Sequence, residues 1–298
     1  MTNETAQVQR LMVDDVGRAS IIEMLLSSTG EDLRGLLDAV DASGSHRDLE
    51  WLVFSHLGSK QRDAMLRHIA RQAKGWTPVV RVVSDMDDTL MASLNDPIYP
   101  SGVLYPGVLA FLARCGAGAP VTIVTARPEG RSGVLEDRLR RLLAARGVPT
   151  ATVLSGSFRN LTSYNAMARR KAANIRNLAA LHPADQLVLV GDSGQGDVKL
   201  ARRVTQAWPG RVPAFFIHEL MPSAVTMHRD EGAMLFFSTY VEAAAKAVTV
   251  GLLSQDDLAA VVDEAQADLA KIVFRTAAQA EVARASLSKS IMAAGLAI

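Results

Sequence analysis

Asp85, Asp87 and Asp88 fall within four residues, directly after the run Pro78-Val-Val-Arg-Val-Val-Ser84. Carboxylates this close repel one another unless positive charge sits among them, and a bound cation is the simplest remedy. Three further features stand downstream. Thr125 closes the run Val121-Thr-Ile-Val-Thr125 and is followed by Ala126-Arg127-Pro128. Lys171 opens the helical stretch Lys171-Ala-Ala-Asn-Ile175, and Gly191-Asp192-Ser-Gly-Gln-Gly-Asp197 follows the apolar run Leu187–Val190. Taken singly these residues have ordinary readings: a strand-end threonine, a solvated lysine that Arg169 or Arg170 could replace, and a polar turn. Together they suit phosphoryl transfer. A carboxylate can accept the phosphoryl group and split one hard displacement into two easier ones. Unaided hydrolysis of phosphate monoesters is so slow that the site must supply on the order of 20 kcal/mol of stabilisation. The transferring group spreads negative charge over its oxygens, which cations and donors must meet. Asp85 and Asp192 suit Mg²⁺, a hard cation usually held by one or two carboxylates with phosphate and water. Lys171 supplies fixed positive charge, and Thr125 a hydroxyl donor. Asp87 can protonate the leaving alkoxide and then activate water if its pKa is raised. Arg127 suits a substrate phosphate or carboxylate equally as well as a surface ion pair.

The elements that must position these residues alternate between strand and helix from 78 to about 220. Apolar runs at 79–84, 120–125, 151–155, 187–191 and 212–217 read as strands, with helices at 106–115, 132–146, 168–181 and 196–205. Short apolar strands separated by such helices imply an α/β, Rossmann-like, parallel five-stranded sheet with helices on both faces. Open α/β sheets place their sites at the carboxyl ends of strands, where Asp85, Thr125 and Asp192 fall. The segment between Asp88 and the helix at 106–115 is too short for an inserted cap domain. Residues 1–76 form a helical N-terminal region of three or four short helices, 77–220 the catalytic domain, and 221–298 a helical C-terminal region in which strands stop. In that last region 230–250 and 256–296 read as helical, and Ser254 with Asp257 resembles a capping box. The terminal helices are expected to pack on the α/β core, on each other, or on a second copy in a homo-oligomer. His46, His56 and His68 lack the companion ligands a metal site needs.

The four features, in this order, are similar to the haloacid-dehalogenase (HAD) superfamily of aspartate-nucleophile phosphotransferases. The likeness covers about 78–220. It implies Asp85 as nucleophile and Asp87 as acid/base, with Thr125 and Lys171 on the phosphate. It also implies Mg²⁺ held by Asp85, Asp192 and the Asp87 carbonyl, with Asp197 completing the metal site or supporting it. An Asp at position 87 is the pattern of that superfamily's phosphatases. Gly191-Asp-Ser-Gly-Gln195, Asp85-Met-Asp-Asp-Thr89, Lys171 and Ile175 further resemble the catalytic domain of the actin-patch-protein type of phosphatidate phosphatase. The departure is Thr125-Ala-Arg-Pro128, where that group would carry a Ser-Asn-Ser-Pro-Trp-like segment. The resemblance implies a Mg²⁺-dependent phosphate monoester hydrolase acting on a phosphatidate-type lipid or other bulky substrate. A small-molecule (nucleotide or sugar) phosphatase and a non-catalytic HAD-like binding module are the alternatives, and the second would be marked by loss of Asp85, Asp87, Lys171 or Asp192.

Composition bounds these readings. The 298 residues are 49% hydrophobic and 21% charged, in the globular class. Net charge is +1 and no long run of one sign occurs, so nothing points to nucleic acid. Cys115 is the only cysteine, which excludes an internal disulfide. A polar N-terminus and the absence of a membrane-length apolar run lead to the expectation of a cytoplasmic protein without a transmembrane segment.

Overall fold

The structure is a computed structural model, and it describes residues 3–42, 46–93, 95–128, 134–156, 164–194, 196–220 and 230–296. The fold is α/β, a parallel sheet flanked by helices, and the sheet has six strands, not the five expected. The chain divides into two compact units that interleave along the sequence. One comprises 1–79, 120–159 and 170–185; the other comprises 80–119, 160–169 and 186–298.

The first unit opens with helices α1 (Asn3–Leu11), α2 (Asp15–Ser27) and α3 (Gly30–Asp41). A π-helical turn (Trp51–His56) and α4 (Ser59–Gln72) follow. Their apolar residues recur at helical spacing and converge on one core, including Ile21, Leu25, Leu33, Leu37, Leu52, Met65 and Ile69, all at or near zero exposure. Leu181, near the end of the unit's last helix, joins the same core. Arg34 of α3 donates to the Thr77 carbonyl at 2.6 Å and to Asp185 at 2.6 Å, and its guanidinium lies 5.7 Å from the centre of the Trp76 ring. That buried pair closes the helical layer over the residues leading to the sheet. Within the unit β2 (Val121–Pro128) pairs in parallel with β3 (Thr150–Gly156), and α6 (Val134–Ala145) lies between them in sequence. Arg140 of α6 donates to Asp48 at 2.8 Å, and Asp48 also accepts from Thr152.

The second unit holds β1 (Val80–Ser84), β4 (Gln186–Asp192), β5 (Ala214–His218) and β6 (Met234–Phe237), all parallel in the order β1-β4-β5-β6. Strand β6 is a correction to the sequence reading, which took 230–250 as helical. The segment Met234-Leu-Phe-Phe is buried at every position, so it shows no period-two alternation to distinguish it from a helix turn. Helix α9 begins only at Tyr240 and ends at Thr249. The stretch 256–296 is likewise two helices, α10 (Gln255–Lys271) and α11 (Ala277–Ala293). The second starts where the Thr276 hydroxyl accepts from the Gln279 N–H. The expected capping box is present: Ser254 Oγ accepts from Asp257 N–H, and Asp257 accepts from Ser254 N–H.

The C-terminal helices pack on the sheet helix α5 (Val108–Cys115) and on one another. They also grip the loop that follows β1. Gly107, at φ +80°, lies so close to α10 that a side chain there would meet Ala265 at 2.9 Å, and its N–H donates to Asp268. Gln279 of α11 donates to the Pro97 carbonyl at 2.7 Å, and the Tyr99 ring lies 5.8 Å from Phe274. Burial pushes the Cys115 thiol up to about 12, which leaves it protonated and inert. No helix among the described residues is long and apolar enough to cross a membrane.

Candidate active site

Strand β1 delivers Asp85 through main-chain pairing. Ser84 is in register with Val190 of β4, and the Asp85 N–H donates to the Val190 carbonyl at 2.9 Å. Asp192 is the last residue of β4 and is paired with His218 of β5. The chain then turns tightly: Ser193 N–H donates to the His218 carbonyl, and Gly194 N–H donates to the Asp192 carboxylate at 2.5 Å. Asp197 is the first residue of α8 (Asp197–Ala207), so its carboxylate stands at a helix N-terminus, where negative charge is favoured.

These elements bring three of the sequence-derived residues together. Asp85, Asp192 and Asp197 are all buried, and each offers a carboxylate oxygen within 4.8 Å of the others. At that separation, with an effective dielectric constant of about 20, each ionised pair repels by ~3.5 kcal/mol. Protons or a cation must relieve it. Oxygens on opposite sides of an octahedral Mg²⁺ lie about 4.2 Å apart, so three oxygens this close can converge on one ion. The donor set is all hard oxygen, as Mg²⁺ requires. Gly191 leaves the space for it. A side chain at 191 would place its Cβ 2.5 Å from Asp197 Oδ2.

Asp87 is buried, and its carboxylate stands outside the trio among the described residues. Asp88, at φ +57°, serves the turn. Its carboxylate accepts from Ser93 N–H at 2.8 Å, from Asn95 N–H and from the Asn95 side chain at 2.8 Å. Two groups the sequence reading missed hold this turn from β5 and α9. His218 Nδ1 lies 2.9 Å from the Asp88 carbonyl, and burial pushes its pKa below the ordinary histidine value. A neutral imidazole facing a carbonyl must carry its proton on that nitrogen and donate. Tyr240 donates to the Thr89 carbonyl at 2.9 Å, and burial, with the nearby charge of Asp85, raises its pKa and keeps it a donor. No motif marks either residue; the one available signal is that His218 ends a strand at the same sheet edge as Asp192.

Thr125, Arg127 and Lys171 belong to the other unit. Thr125 is a buried residue of β2, and its hydroxyl oxygen accepts from the Arg127 N–H at 3.1 Å. That fixes the oxygen and leaves the O–H to donate. Arg127 is exposed. Lys171 is 2% exposed, rare for a lysine. It does not open its helix as expected, because α7 runs from Tyr164 to Leu181 and places Lys171 two turns inside. Three residues further on, Asn174 donates to the Ser155 carbonyl at 3.0 Å, which ties α7 to the end of β3.

Comparison with known families places these residues in context. Residues 106–219 match the family described as phosphatidate phosphatase APP1, catalytic domain. The matched segment contains Thr125, Arg127, Lys171, Asp192 and Asp197, and it begins after Asp85 and Asp87. No curated protein and no solved structure matches the chain. Over the matched residues the chain is similar to the catalytic domain of a phosphatidate phosphatase, which supports phosphatase activity.

Proposed function

We propose that this protein is a Mg²⁺-dependent phosphatase of the haloacid-dehalogenase kind, hydrolysing a phosphatidate-type monoester through an aspartyl-phosphate on Asp85. The observation that carries the reading is the buried Asp85–Asp192–Asp197 trio, with Asp85 and Asp192 at the carboxyl ends of adjacent parallel strands and Asp197 at the start of α8. The family match over 106–219 supports the reaction class.

Mg²⁺ held by Asp85, Asp192, Asp197 and the Asp87 carbonyl would offset the carboxylate charge and that of the phosphoryl oxygens. The chain's own groups do the rest. An Asp85 carboxylate oxygen attacks phosphorus as the ester oxygen leaves, and Asp87 gives that oxygen its proton. Asp87, now ionised, takes a proton from water as the water attacks the phosphoryl group. Phosphate departs, and both aspartates return to their starting states. The Thr125 hydroxyl donates to a phosphoryl oxygen, and Lys171 and Arg127 supply positive charge. His218 and Tyr240 hold the turn after Asp87 from behind, which keeps the acid in place without entering the reaction.

The test is phosphate release from an aryl phosphate, with and without Mg²⁺. Asp85→Asn should abolish the Mg²⁺-dependent rate and leave the unfolding transition in place. A wild type that releases nothing, or a variant that releases as much, ends the proposal. A parallel screen sets phosphatidate in micelles against nucleotide and sugar phosphates, and preference for the soluble esters would turn the assignment to a small-molecule phosphatase.

A further inference from the structure

Asn95 is exposed, yet its side chain is held. The Asp88 carboxylate accepts from its main-chain N–H at 3.1 Å and from its side-chain Nδ2 at 2.8 Å. A carboxylate only accepts, so the nitrogen end of the amide faces Asp88 and its orientation is settled. An amide nitrogen carries two N–H groups. Among the described residues the second meets no acceptor and the Asn95 Oδ1 no donor. Gly194 shows where that unused donor lies. A Cβ at Gly194 would stand 3.1 Å from Asp192 Oδ1, 3.8 Å from Asn95 Nδ2 and 3.9 Å from Leu220 Cδ1. One gap, kept open by the lack of a side chain at 194, thus has a carboxylate of the trio on one side and the amide on another. Laid end to end, 3.1 Å and 3.8 Å put the two polar atoms at most 6.9 Å apart. Gly194 is itself exposed, so the gap lies at the rim and a solute can enter it.

We infer that Asn95 is a substrate-binding residue, donating its second side-chain N–H to an oxygen of the phosphoryl group. The inference rests on the phosphatase reading and adds to it a contact from the loop after β1, outside the residues singled out by sequence. Reach allows it. An oxygen sharing one Mg²⁺ with Asp192 lies at most about 4.2 Å from that carboxylate, and an N–H···O bond adds about 2.9 Å. Together these cover the 6.9 Å span. Chemistry favours the phosphoryl oxygens over the alcohol released with them, because they carry the negative charge and a bond to them is charge-assisted. Asn95 is neutral, so it adds a donor without competing with the cation for the trio. Its bonds to Asp88 fix it before substrate arrives, so little freedom is lost on binding.

The experiment uses the full-length protein with Mg²⁺, phenyl, nitrophenyl and n-butyl phosphate as substrates, and inorganic phosphate as competitive inhibitor. In Asn95→Ala the inhibition constant of phosphate should rise about tenfold, the worth of one hydrogen bond to a charged acceptor. The value of kcat/KM should fall by at least as much, and by the same factor for all three esters, since the phosphoryl group is what they share. Asn95 also secures the turn through Asp88, so a second measurement separates the two roles. Calorimetric affinity for Mg²⁺ in the absence of phosphate should match wild type, and a thermal melt checks the fold. An unchanged inhibition constant in Asn95→Ala overturns the assignment. So does a loss of Mg²⁺ affinity as large as the loss of phosphate binding, because the amide then acts on the ion or on the turn. A loss that differs among the three esters overturns the phosphoryl contact and moves the amide to the leaving alcohol. In each of these cases wild-type hydrolysis stands. A wild type that releases no phosphate from any ester removes the phosphatase reading and the role of Asn95 with it.

Discussion

Gly191→Ala isolates the placement of Asp197. Gly191 sits in β4 opposite Ile217, and its backbone is not left-handed, so alanine meets no conformational obstacle. The obstacle is a side chain. A Cβ at 191 would lie 2.5 Å from Asp197 Oδ2 and 3.0 Å from its Cβ and Cγ, whereas ordinary contact begins at 3.4 Å. The carboxylate oxygen must then retreat by about 0.9 Å, the difference between 3.4 and 2.5 Å. Metal–ligand distances tolerate about 0.2 Å. Asp197 cannot keep its place in the trio, and affinity for Mg²⁺ or Mn²⁺ should fall about 10- to 100-fold, as when a ligand loses its support. Overpacking costs about 1–3 kcal/mol, and the smaller conformational freedom of unfolded alanine returns about 0.4–1. A net loss of about 1–2 kcal/mol is expected in metal-free urea unfolding. Calorimetric titration with the metal reads the first effect and unfolding the second. In Gly191→Ala/Asp197→Ala the 2.5 Å clash with the carboxylate is removed and only the 3.0 Å contact with the Cβ of residue 197 remains, so stability should recover in part while metal affinity does not. Wild-type affinity together with wild-type stability in Gly191→Ala would refute the placement of Asp197 against β4 and its membership of the metal site.

Other perturbations address the framework. Arg34→Met should destabilise by about 3–5 kcal/mol, because it takes the cation away from the buried Asp185 carboxylate; Arg34→Lys should recover little, since a lysine cannot reach Thr77 and Asp185 with a planar fork, and urea midpoints of the two variants check this. Asp48 is buried, and desolvation pushes its pKa from the ordinary 3.8 up to about 6 against the opposing pull of Arg140. Its folded form therefore binds a proton more readily than its unfolded form, so its contribution is full below about pH 4 and lost as pH rises through about 6. The linked change is about 3 kcal/mol. Asp48→Asn should remove that decline, seen as variant and wild-type stabilities converging or crossing between pH 4 and 7. Tyr240→Phe leaves the Thr89 carbonyl without its donor and should cost about 1–3 kcal/mol, measured by chemical denaturation; an unchanged midpoint would mean that another donor replaces the phenol.

What could be read from the sequence followed from how tightly each feature constrains its own residues. The run Val79–Val83 is valine at every position but Arg81, so β1 was visible, and the aspartates that stop it marked the sheet edge. Ser254 and Asp257 are local partners, and their cap was legible for that reason. Strand β6 was not, because four buried residues without alternation carry no period. The break between α10 and α11 was hidden by alanine on both sides, which favours helix throughout. His218 and Tyr240 escaped for another reason: each acts on a backbone carbonyl more than a hundred residues away in sequence, and carbonyls leave no mark on composition.

The grip of α10 and α11 on the loop after β1 has a consequence for the order in which the molecule is made. Gly107 takes its backing from Ala265, and Pro97 its donor from Gln279. On a ribosome adding about 5–20 residues per second, roughly 10 to 35 s separate the synthesis of these partners. Throughout that interval the strand carrying the aspartates can exist, but the loop behind them has nothing to close against. The loop after the aspartates is thus completed only once residue 279 has been made, and a ribosome stalled before it would carry a nascent chain in which Pro97 and Gly107 have nothing to close against.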